Sequence, residues 1–177
     1  MFLIKDKTNN FSSKNLIDLL LQNNANIIAS TSKNYFSSIE LSFEENGIIL
    51  TFEKRQFILK NPISFNDFHD KLLLIISDYK VSFQEFEYFP LQQKVHNKNN
   101  TKKLTYTHAI ILNNLILNQD GINKSDLYKI IWPADKEMSL NKLDTHLTNL
   151  KNYLLENLNL KLNIISQKNF VYLNLFD

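Results

Sequence analysis

Leucine recurs at helical spacing in the stretch Leu140–Asn157, LNKLDTHLTNLKNYLLEN, and this stretch decides how the second half of the chain folds. The recurring positions are Leu143, Leu147, Leu150 and Leu154. Successive leucines are three or four residues apart, so they share one side of a helix, and polar or charged residues take the other side. The pattern predicts a long amphipathic helix that buries its leucine stripe and exposes a polar face.

Two shorter helical segments precede this helix. Thr105 can cap the first, and Gly121 is placed to terminate it, because glycine readily adopts the left-handed backbone found just beyond a helix. Ser125 can cap the second, which spans residues 126–132 and stops at Pro133, since proline lacks the amide hydrogen that a helix needs. The sequence thus predicts three consecutive helices, the third being the longest.

The chain closes with two runs of β-forming residues, 162–165 and 171–176, and the polar segment 166–170 between them predicts a hairpin tip. Three helices followed by a β-hairpin, with a long third helix whose polar face points outward, is the layout of a winged helix-turn-helix. The predicted fold class is α+β, with a small N-terminal α/β module ahead of a C-terminal winged helix-turn-helix domain.

The N-terminal part predicts strands and helices of its own. Met1–Lys5 is typical of a short strand, and apolar residues alternate with polar ones on both sides of Asn46-Gly47, which is a strong hairpin signal. Ser64, with Asp67 three residues later, predicts the start of a further helix. These elements indicate a separate module over residues 1–82.

Charge also divides the chain. Residues 1–90 carry 9 Lys and Arg against 11 Asp and Glu, a net charge of −2, whereas residues 91–177 carry 11 Lys against 7 acidic residues, a net charge of +4. A basic half is typical of a protein that binds a polyanion, although an ordinary solvated surface is the alternative on charge alone. We expect the second domain to span residues 83–177.

Several classes of protein are disfavoured by composition. The 177 residues include no cysteine, so there is no disulfide framework, thiolate zinc site or cysteine nucleophile. The four histidines show no metal-ligand spacing, and two glycines cannot build the standard phosphate-binding loops. No stretch has the length and apolarity of a membrane span, and the N-terminus does not resemble a signal peptide. We expect a cytoplasmic protein with no membrane partner, no metal and no cofactor.

The C-terminal half also resembles a known family. Four segments match it in order: LTYTHAIILNNLI (104–116), GINKSDLYKIIW (121–132), LDTHLTNLKNYL (143–154) and IISQKNFVYLNL (164–175). Together they are similar to the effector domain of OmpR/PhoB-type response regulators, and the resemblance covers about half of the chain. It implies a DNA-binding domain whose third helix enters the major groove.

The resemblance also implies which side chains contact DNA. Four outward residues match base-facing or near-base positions: Asp144, Thr145, Thr148 and Asn149. Asparagine can bond adenine at two atoms and a threonine methyl can touch that of thymine, so AT-leaning sites are expected. Lys142 and Lys151 are expected at phosphates, which fix the position of the protein without reading sequence. The alternative for this face is an ordinary solvated helix surface.

The hairpin departs from the family pattern. The family has an arginine and two glycines before a final tyrosine, whereas this chain has Lys168-Asn169-Phe170-Val171-Tyr172. Asn169 can supply the positive φ that glycine would otherwise provide, and Lys168 can reach a backbone phosphate or the minor groove. The missing glycines therefore predict a hairpin of altered shape.

The N-terminal half resembles a receiver domain only in two segments, FLIKD (2–6) and FILKNPISFNDFHDKL (57–72). Too few residues precede Pro62 for the usual five strand-helix units. Of the residues that a phosphorylated receiver needs, only Asp6 and Lys60 are approximately placed. We expect no aspartyl phosphorylation, and a degenerate receiver that acts as a dimerisation or partner-binding module.

These observations favour a phosphorylation-independent transcriptional regulator, associated with the nucleoid, with double-stranded DNA and a second copy of itself as partners. An alternative is a winged-helix module that has lost specific DNA binding and contacts a protein such as RNA polymerase through the loop 134–139. A small hydrolase or transferase in the N-terminal half is the third possibility, but no catalytic set is recognisable there. The sequence therefore predicts a protein that is not an enzyme.

Overall fold

A computed structural model of the chain shows an α+β protein that divides into two compact units, Met1–Asp78 and Tyr79–Asp177. It describes all residues except 9, 10, 25, 26, 30–33, 61, 84 and 175–177. For Phe11 it describes only the backbone. The division falls slightly before the boundary that the sequence predicts after residue 82. No helix among the described residues is long and apolar enough to cross a bilayer.

The first unit is built on one five-stranded sheet. Its strands are β1 (Phe2–Asp6), β2 (Ile27–Ile28), β3 (Ser38–Glu44), β4 (Gly47–Phe52) and β5 (Arg55–Lys60), and its helices are α1 (Phe11–Asn23) and α2 (Phe65–Ser77). The strand order is β2-β1-β3-β4-β5, with β1 parallel to both β2 and β3 and the remaining pairs antiparallel. Buried side chains of α2, including Phe68, Leu72 and Ile76, add to the apolar core of this unit.

The hairpin predicted around Asn46-Gly47 is confirmed. Glu44 pairs with Gly47, so the loop between β3 and β4 consists of Glu45 and Asn46. Gly47 begins β4, and a Cβ atom there would lie only 2.2 Å from the carbonyl oxygen of Leu59 on the neighbouring strand. Glycine is therefore required at this position because β5 passes so close to its backbone.

The predicted start of α2 is also confirmed, and Asp6 proves to be a structural residue. The Ser64 hydroxyl oxygen accepts the amide hydrogen of Asp67, as expected of an N-cap. The Asp6 carboxylate accepts hydrogen bonds from the amide of Thr8 and the hydroxyl of Ser13. Asp6 thus joins the end of β1 to the first turn of α1.

Three sequence predictions extend beyond the described residues. The stretch 25–29 predicts a strand, which the structure describes only from residue 27, where β2 begins. Asn61-Pro62 predicts a break in the chain after a strand, and Asn61 lies outside the described part. The last two residues of the closing run 171–176 also lie outside it.

The described residues of the second unit form three helices and two sheets. The helices are α3 (Tyr106–Leu117), α4 (Lys124–Ile131) and α5 (Leu140–Leu158). Strands β6 (Val81–Ser82), β7 (Glu87–Phe89), β8 (Lys94–Asn97) and β9 (Asn100–Lys103) form an antiparallel sheet in sequence order. Strands β10 (Ile122–Asn123), β11 (Asn163–Gln167) and β12 (Phe170–Asn174) form a second antiparallel sheet in the order β10-β12-β11.

The leucine stripe that predicted α5 is buried along its whole length. All four leucines, and Leu158 one turn further, are buried in the core of the second unit. Asn159 ends the helix in the left-handed conformation (φ 49°), where other proteins commonly use glycine. The Asn97 side chain donates to the carbonyl oxygen of Leu158 at 3.0 Å, which fastens the end of α5 to β8.

Two predicted helix ends are wrong, and one is confirmed. Thr105 caps α3 as expected, with its hydroxyl oxygen accepting the amide hydrogen of His108. The cap of α4 is Asn123 rather than Ser125, because the Asn123 side chain accepts the Ser125 amide hydrogen at 2.9 Å. Gly121 does not terminate α3, which already ends at Leu117.

Gly121 instead makes room for a ring. A Cβ atom on it would lie 2.4 Å from the Tyr172 ring of β12, and its φ of 93° is one that other residues rarely adopt. The Tyr172 ring therefore lies close to the backbone that enters β10.

Candidate nucleic-acid interface

The side of α5 opposite the leucine stripe is an exposed row of short, uncharged polar side chains. It consists of Asn141, Thr145, Thr148, Asn149 and Asn152, and we call it the outer face of α5. Its members follow one another at helical spacing, so they point the same way. Asparagine and threonine are poor choices for helix propensity, so their concentration on one exposed face is not explained by stability of the helix alone.

The two threonines offer an acceptor and a methyl group. The Thr145 hydroxyl donates to the carbonyl oxygen of Asn141 at 2.9 Å, and the Thr148 hydroxyl donates to that of Asp144 at 3.0 Å. With each hydroxyl hydrogen used inside the helix, the oxygen can still accept a hydrogen bond from outside. Within the described part of the chain, Asn149 has no side-chain partner, so its amide can both donate and accept.

The Asp144 carboxylate forms an ion pair within the second unit, so part of its hydrogen-bonding capacity is already used. Its carboxylate lies 2.7 Å from the Lys124 ammonium, and the Lys124 side chain is only 14% exposed. The backbone amide of Lys124 also donates to the carbonyl oxygen of Asn169 at 2.7 Å. Lys124 therefore ties the hairpin tip, the start of α4 and the outer side of α5 together.

Lys142 is likewise paired within the unit, although its side chain is 38% exposed. Its ammonium lies 2.8 Å from the Asp135 carboxylate and 4.2 Å from the centre of the Trp132 ring. The Tyr128 hydroxyl donates to the same carboxylate at 2.6 Å. The Lys142 hydrogen bond, followed by that of Tyr128, holds the pKa of Asp135 below its ordinary value. These contacts fix the loop 134–139 against α4 and α5.

Lys151 and Lys168 are different, because neither has a side-chain hydrogen bond or ion pair with any described residue. Lys151 lies half-exposed on α5, and Lys168 is exposed at the tip of the β11–β12 hairpin. Lys168 and Asn169 form a tight two-residue turn with φ values of 46° and 66°. The prediction that Asn169 supplies a positive φ is thus confirmed, and Lys168 supplies a second one.

Sequence reasoning missed three contributors to this surface. Asn141 and Asn152 lie on the same face as Thr145, and a helical wheel drawn over Leu140–Asn157 would have included them. The role of Lys124 had no local signal, since its partner Asp144 is 20 residues away and the contact depends on how α4 packs against α5.

A row of rings runs behind this surface. His146 of α5 lies between Trp132 and His108, with ring centres 5.2 and 6.3 Å apart respectively. Burial, and then the neighbouring His146, lower the pKa of His108 from its ordinary value. Among the described residues, no three His, Asp or Glu side chains are grouped to hold a metal ion.

The first unit contains a cleft of about 280 Å³ at the carboxyl end of β3. Its lining is mostly apolar, with Leu16, Phe43 and Phe68 among the side chains, and Glu44 is the one charged residue among the described residues that line it. A phosphate or nucleotide would meet a carboxylate there rather than a cation, so the lining does not suit an anionic ligand.

Comparison with known proteins assigns no family. No protein-family model matches the chain, and no curated protein matches its sequence. The likeness to OmpR/PhoB-type effector domains therefore stays a resemblance carried by the four segments quoted above, and function rests on the contacts of the second unit.

Proposed function

We propose that this protein is a sequence-specific DNA-binding transcriptional regulator whose second unit is a winged helix-turn-helix domain. The observation that carries the proposal is the outer face of α5. A continuous row of exposed asparagine and threonine side chains on a well-packed helix is suited to hydrogen bonding and methyl contacts with base edges in the major groove. Such a face has no evident role in holding the helix to its own core.

The order of elements supports the winged arrangement. α3, α4 and α5 are followed directly by the β11–β12 hairpin, and β10, which lies between α3 and α4 in sequence, joins that hairpin as a third strand. In winged helices the third helix reads bases while the hairpin contacts the adjacent backbone or groove. α5 and the hairpin would take these two roles here, linked through Lys124.

The proposed chemistry of recognition favours A·T base pairs. Asn149 can pair with N6 and N7 of adenine, while Thr145 and Thr148 offer a methyl group to thymine and an acceptor to an amino group. Lys151 and Lys168 would neutralise phosphates, since their ammonium groups have no partner in the described structure. Because Lys142 is held by Asp135 and Trp132, fewer phosphate contacts are expected than the lysine content suggests.

The first unit would supply dimerisation rather than a phosphorylation switch. Asp6, the approximate counterpart of a phosphoacceptor, uses its carboxylate to hold Thr8 and Ser13. A dimer would place two copies of α5 on successive half-sites, which raises both affinity and specificity over a single helix. We accordingly propose a cytoplasmic, nucleoid-associated homodimer whose partner is double-stranded DNA and which has no enzymatic activity.

Fluorescence anisotropy with labelled genomic duplexes tests this function. Purified full-length protein is titrated into a pool of fragments at several salt concentrations with excess nonspecific competitor. We expect selective retention of a few fragments. For these fragments, the logarithm of the binding constant should fall linearly with log[salt]. Failure to retain any fragment at low salt would rule out the proposed function.

A second candidate is a winged-helix module that binds a protein such as RNA polymerase. Two large apolar side chains favour it, because Ile130 at the end of α4 is 48% exposed and Met138 in the following loop is 51% exposed. The Asp135–Lys142 contact connects that loop to α5. Under this candidate, a double variant with Ile130→Ser and Met138→Ser would lose polymerase binding while the unit still folds.

A further inference from the structure

The β11–β12 hairpin has an apolar side that faces away from the core. Gln167 pairs with Phe170, and Ile165 pairs with Tyr172, so these four side chains share one face of the hairpin. Phe170 is 38% exposed and Ile165 is 41% exposed, whereas Val171, on the opposite face, is fully buried. The Phe170 ring lies beside the Tyr172 ring, with ring centres 6.2 Å apart. Phe170, Tyr172 and Ile165 therefore form one partly exposed apolar patch, and such patches commonly mark binding sites.

The charge around this face indicates what could cover it. From Asn157 to Asn174 the chain carries Lys161 and Lys168 and no acidic residue. The tip itself adds the amide side chains of Gln167 and Asn169, which can donate hydrogen bonds. A surface with positive charges and hydrogen-bond donors around an apolar ring is complementary to a negatively charged polymer that also exposes apolar groups.

We propose that Phe170 packs against deoxyribose in the minor groove of bound DNA, with Lys168 beside it on a phosphate or on the groove floor. The inference rests on the proposed function, since it assumes that α5 occupies the adjacent major groove. It assigns a DNA contact to a residue that is not one of the arginine, glycine and tyrosine positions of the OmpR/PhoB-type pattern.

The chemistry of the groove fits this tip. The minor groove of A·T pairs presents only acceptors, the N3 of adenine and the O2 of thymine, so lysine and amide donors are the groups that match it. Its walls are sugar rings, whose C–H groups are apolar. Phe170 offers a matching apolar surface, and it is flanked by the donors rather than by any acidic side chain of the hairpin.

The position of the tip relative to α5 supports DNA over a protein partner. The backbone amide of Lys124 donates to the carbonyl oxygen of Asn169, and its ammonium donates to the carboxylate of Asp144. Asp144 directly precedes Thr145, which belongs to the outer face of α5. The hairpin tip is thus fixed to the reading helix at two points through one residue. A ligand that contacts the outer face of α5 and continues alongside it would reach the tip.

Salt dependence separates this contact from an electrostatic one. In anisotropy titrations with a retained duplex, Phe170→Ala should weaken binding roughly tenfold while the slope of log K against log[salt] stays that of the parent, because an apolar contact releases no counterions. Lys168→Ala should weaken binding and reduce the slope by about 1. Ile165→Ala, on the same face but further from the tip, is the matched control and should bind like the parent.

Competition with a small molecule that binds the minor groove is the second test of the proposed contact. Netropsin, which occupies A·T minor grooves, should compete with the parent protein but have much less effect on a Phe170→Ala, Lys168→Ala double variant. Phe170→Leu keeps an apolar side chain and should retain most of the affinity. A urea midpoint of Phe170→Ala equal to that of the parent, followed by fluorescence of the single tryptophan, Trp132, shows that the alanine variant acts through lost contact rather than misfolding.

Three outcomes would overturn the inference while leaving the proposed function standing. They are a Phe170→Ala variant that binds DNA like the parent, an Ile165→Ala variant that loses as much affinity, and parent binding that netropsin does not disturb. In each case the protein would still bind DNA with a salt-dependent affinity. A parent protein that binds no duplex at all would instead remove the proposed function, and this inference with it.

Discussion

Two lysines of the same helix, Lys142 and Lys151, have opposite surroundings. Lys142 contacts a carboxylate and an indole ring, and it connects a loop to the helix. Lys151 lies about two and a half turns further along α5, and it has no side-chain partner among the described residues. The sequence predicts both as phosphate contacts, and nothing local distinguishes them. The difference shows that a cation counts toward an interface only when the fold has not already used it.

The largest effect is expected from reversing the free charge. Lys151→Glu removes one favourable interaction with phosphate and adds a repulsive one, each about 1 kcal/mol at contact distance in water, so binding to every duplex should weaken about thirtyfold at low salt. Anisotropy with specific and random duplexes measures this. The matched control is Lys129→Glu, an exposed lysine on α4, which should have a smaller effect. Equal losses in both variants would show that only net charge matters.

The neighbouring Asn149 should affect sequence preference rather than overall affinity. Asn149→Ala removes a paired contact to adenine, which is worth about 1–3 kcal/mol of discrimination against other bases. We expect the preferred site to lose its advantage at one or two base pairs, with an unchanged salt slope, in a competition assay against single-base variants of the site. Asn100→Ala, at an exposed position of β9, is the control and should keep the parent preference. Unaltered preference in Asn149→Ala would mean that the outer face of α5 does not read bases.

Lys142 should affect stability instead. Lys142→Ala removes the contact with the Trp132 ring, and the free energy of unfolding of the second unit should fall by about 0.5–1 kcal/mol. Fluorescence of Trp132, the chain's single tryptophan, reports unfolding of this unit in urea. Lys151→Ala should leave the urea midpoint unchanged. If Lys142→Ala weakened DNA binding as much as Lys151→Ala while leaving stability intact, the distinction between the two lysines would be wrong.

The elements that could be predicted from sequence are those specified by local pattern. The leucine stripe predicts α5 because period and burial agree at every position, and Ser64 and Thr105 predict helix starts because a cap bonds only three residues away. The hairpin near Gly47 follows in the same way from alternation and a turn.

The features that sequence missed depend on distant partners. Asn123 rather than Ser125 caps α4, because pairing of Asn123 with Phe170 of β12 keeps it extended directly before the helix. Gly121 is needed for a ring 51 positions later, not for the end of α3. The pairing of Lys124 with Asp144 likewise appears only once α4 and α5 are packed together. Candidate site residues can thus be proposed from a helical face. The sequence does not show which of them already pair with another side chain of the protein.

The smallest expected effect is on how the free energy of unfolding depends on pH. Lys142→Ala should change this dependence, and Lys151→Ala should not. Because the pKa of Asp135 is lowered in the folded protein, its charged form stabilises the fold above the ordinary pKa of 3.8, and that contribution is lost as the pH falls through the folded value. Lys142→Ala removes the largest cause of the lowering. The stability difference between parent and Lys142→Ala should therefore be greatest near neutral pH and should narrow as the pH falls below the ordinary pKa of 3.8.

Urea titrations followed by Trp132 fluorescence at several pH values measure that difference, and other carboxylates cancel because both proteins contain them. In the same series, parent and Lys151→Ala should keep a constant difference, since Lys151 has no acidic partner among the described residues. If the gap between parent and Lys142→Ala stayed constant down to pH 2, Asp135 would not hold Lys142 in solution. Lys142 would then be as available to phosphate as Lys151, and the contrast between the two lysines would disappear.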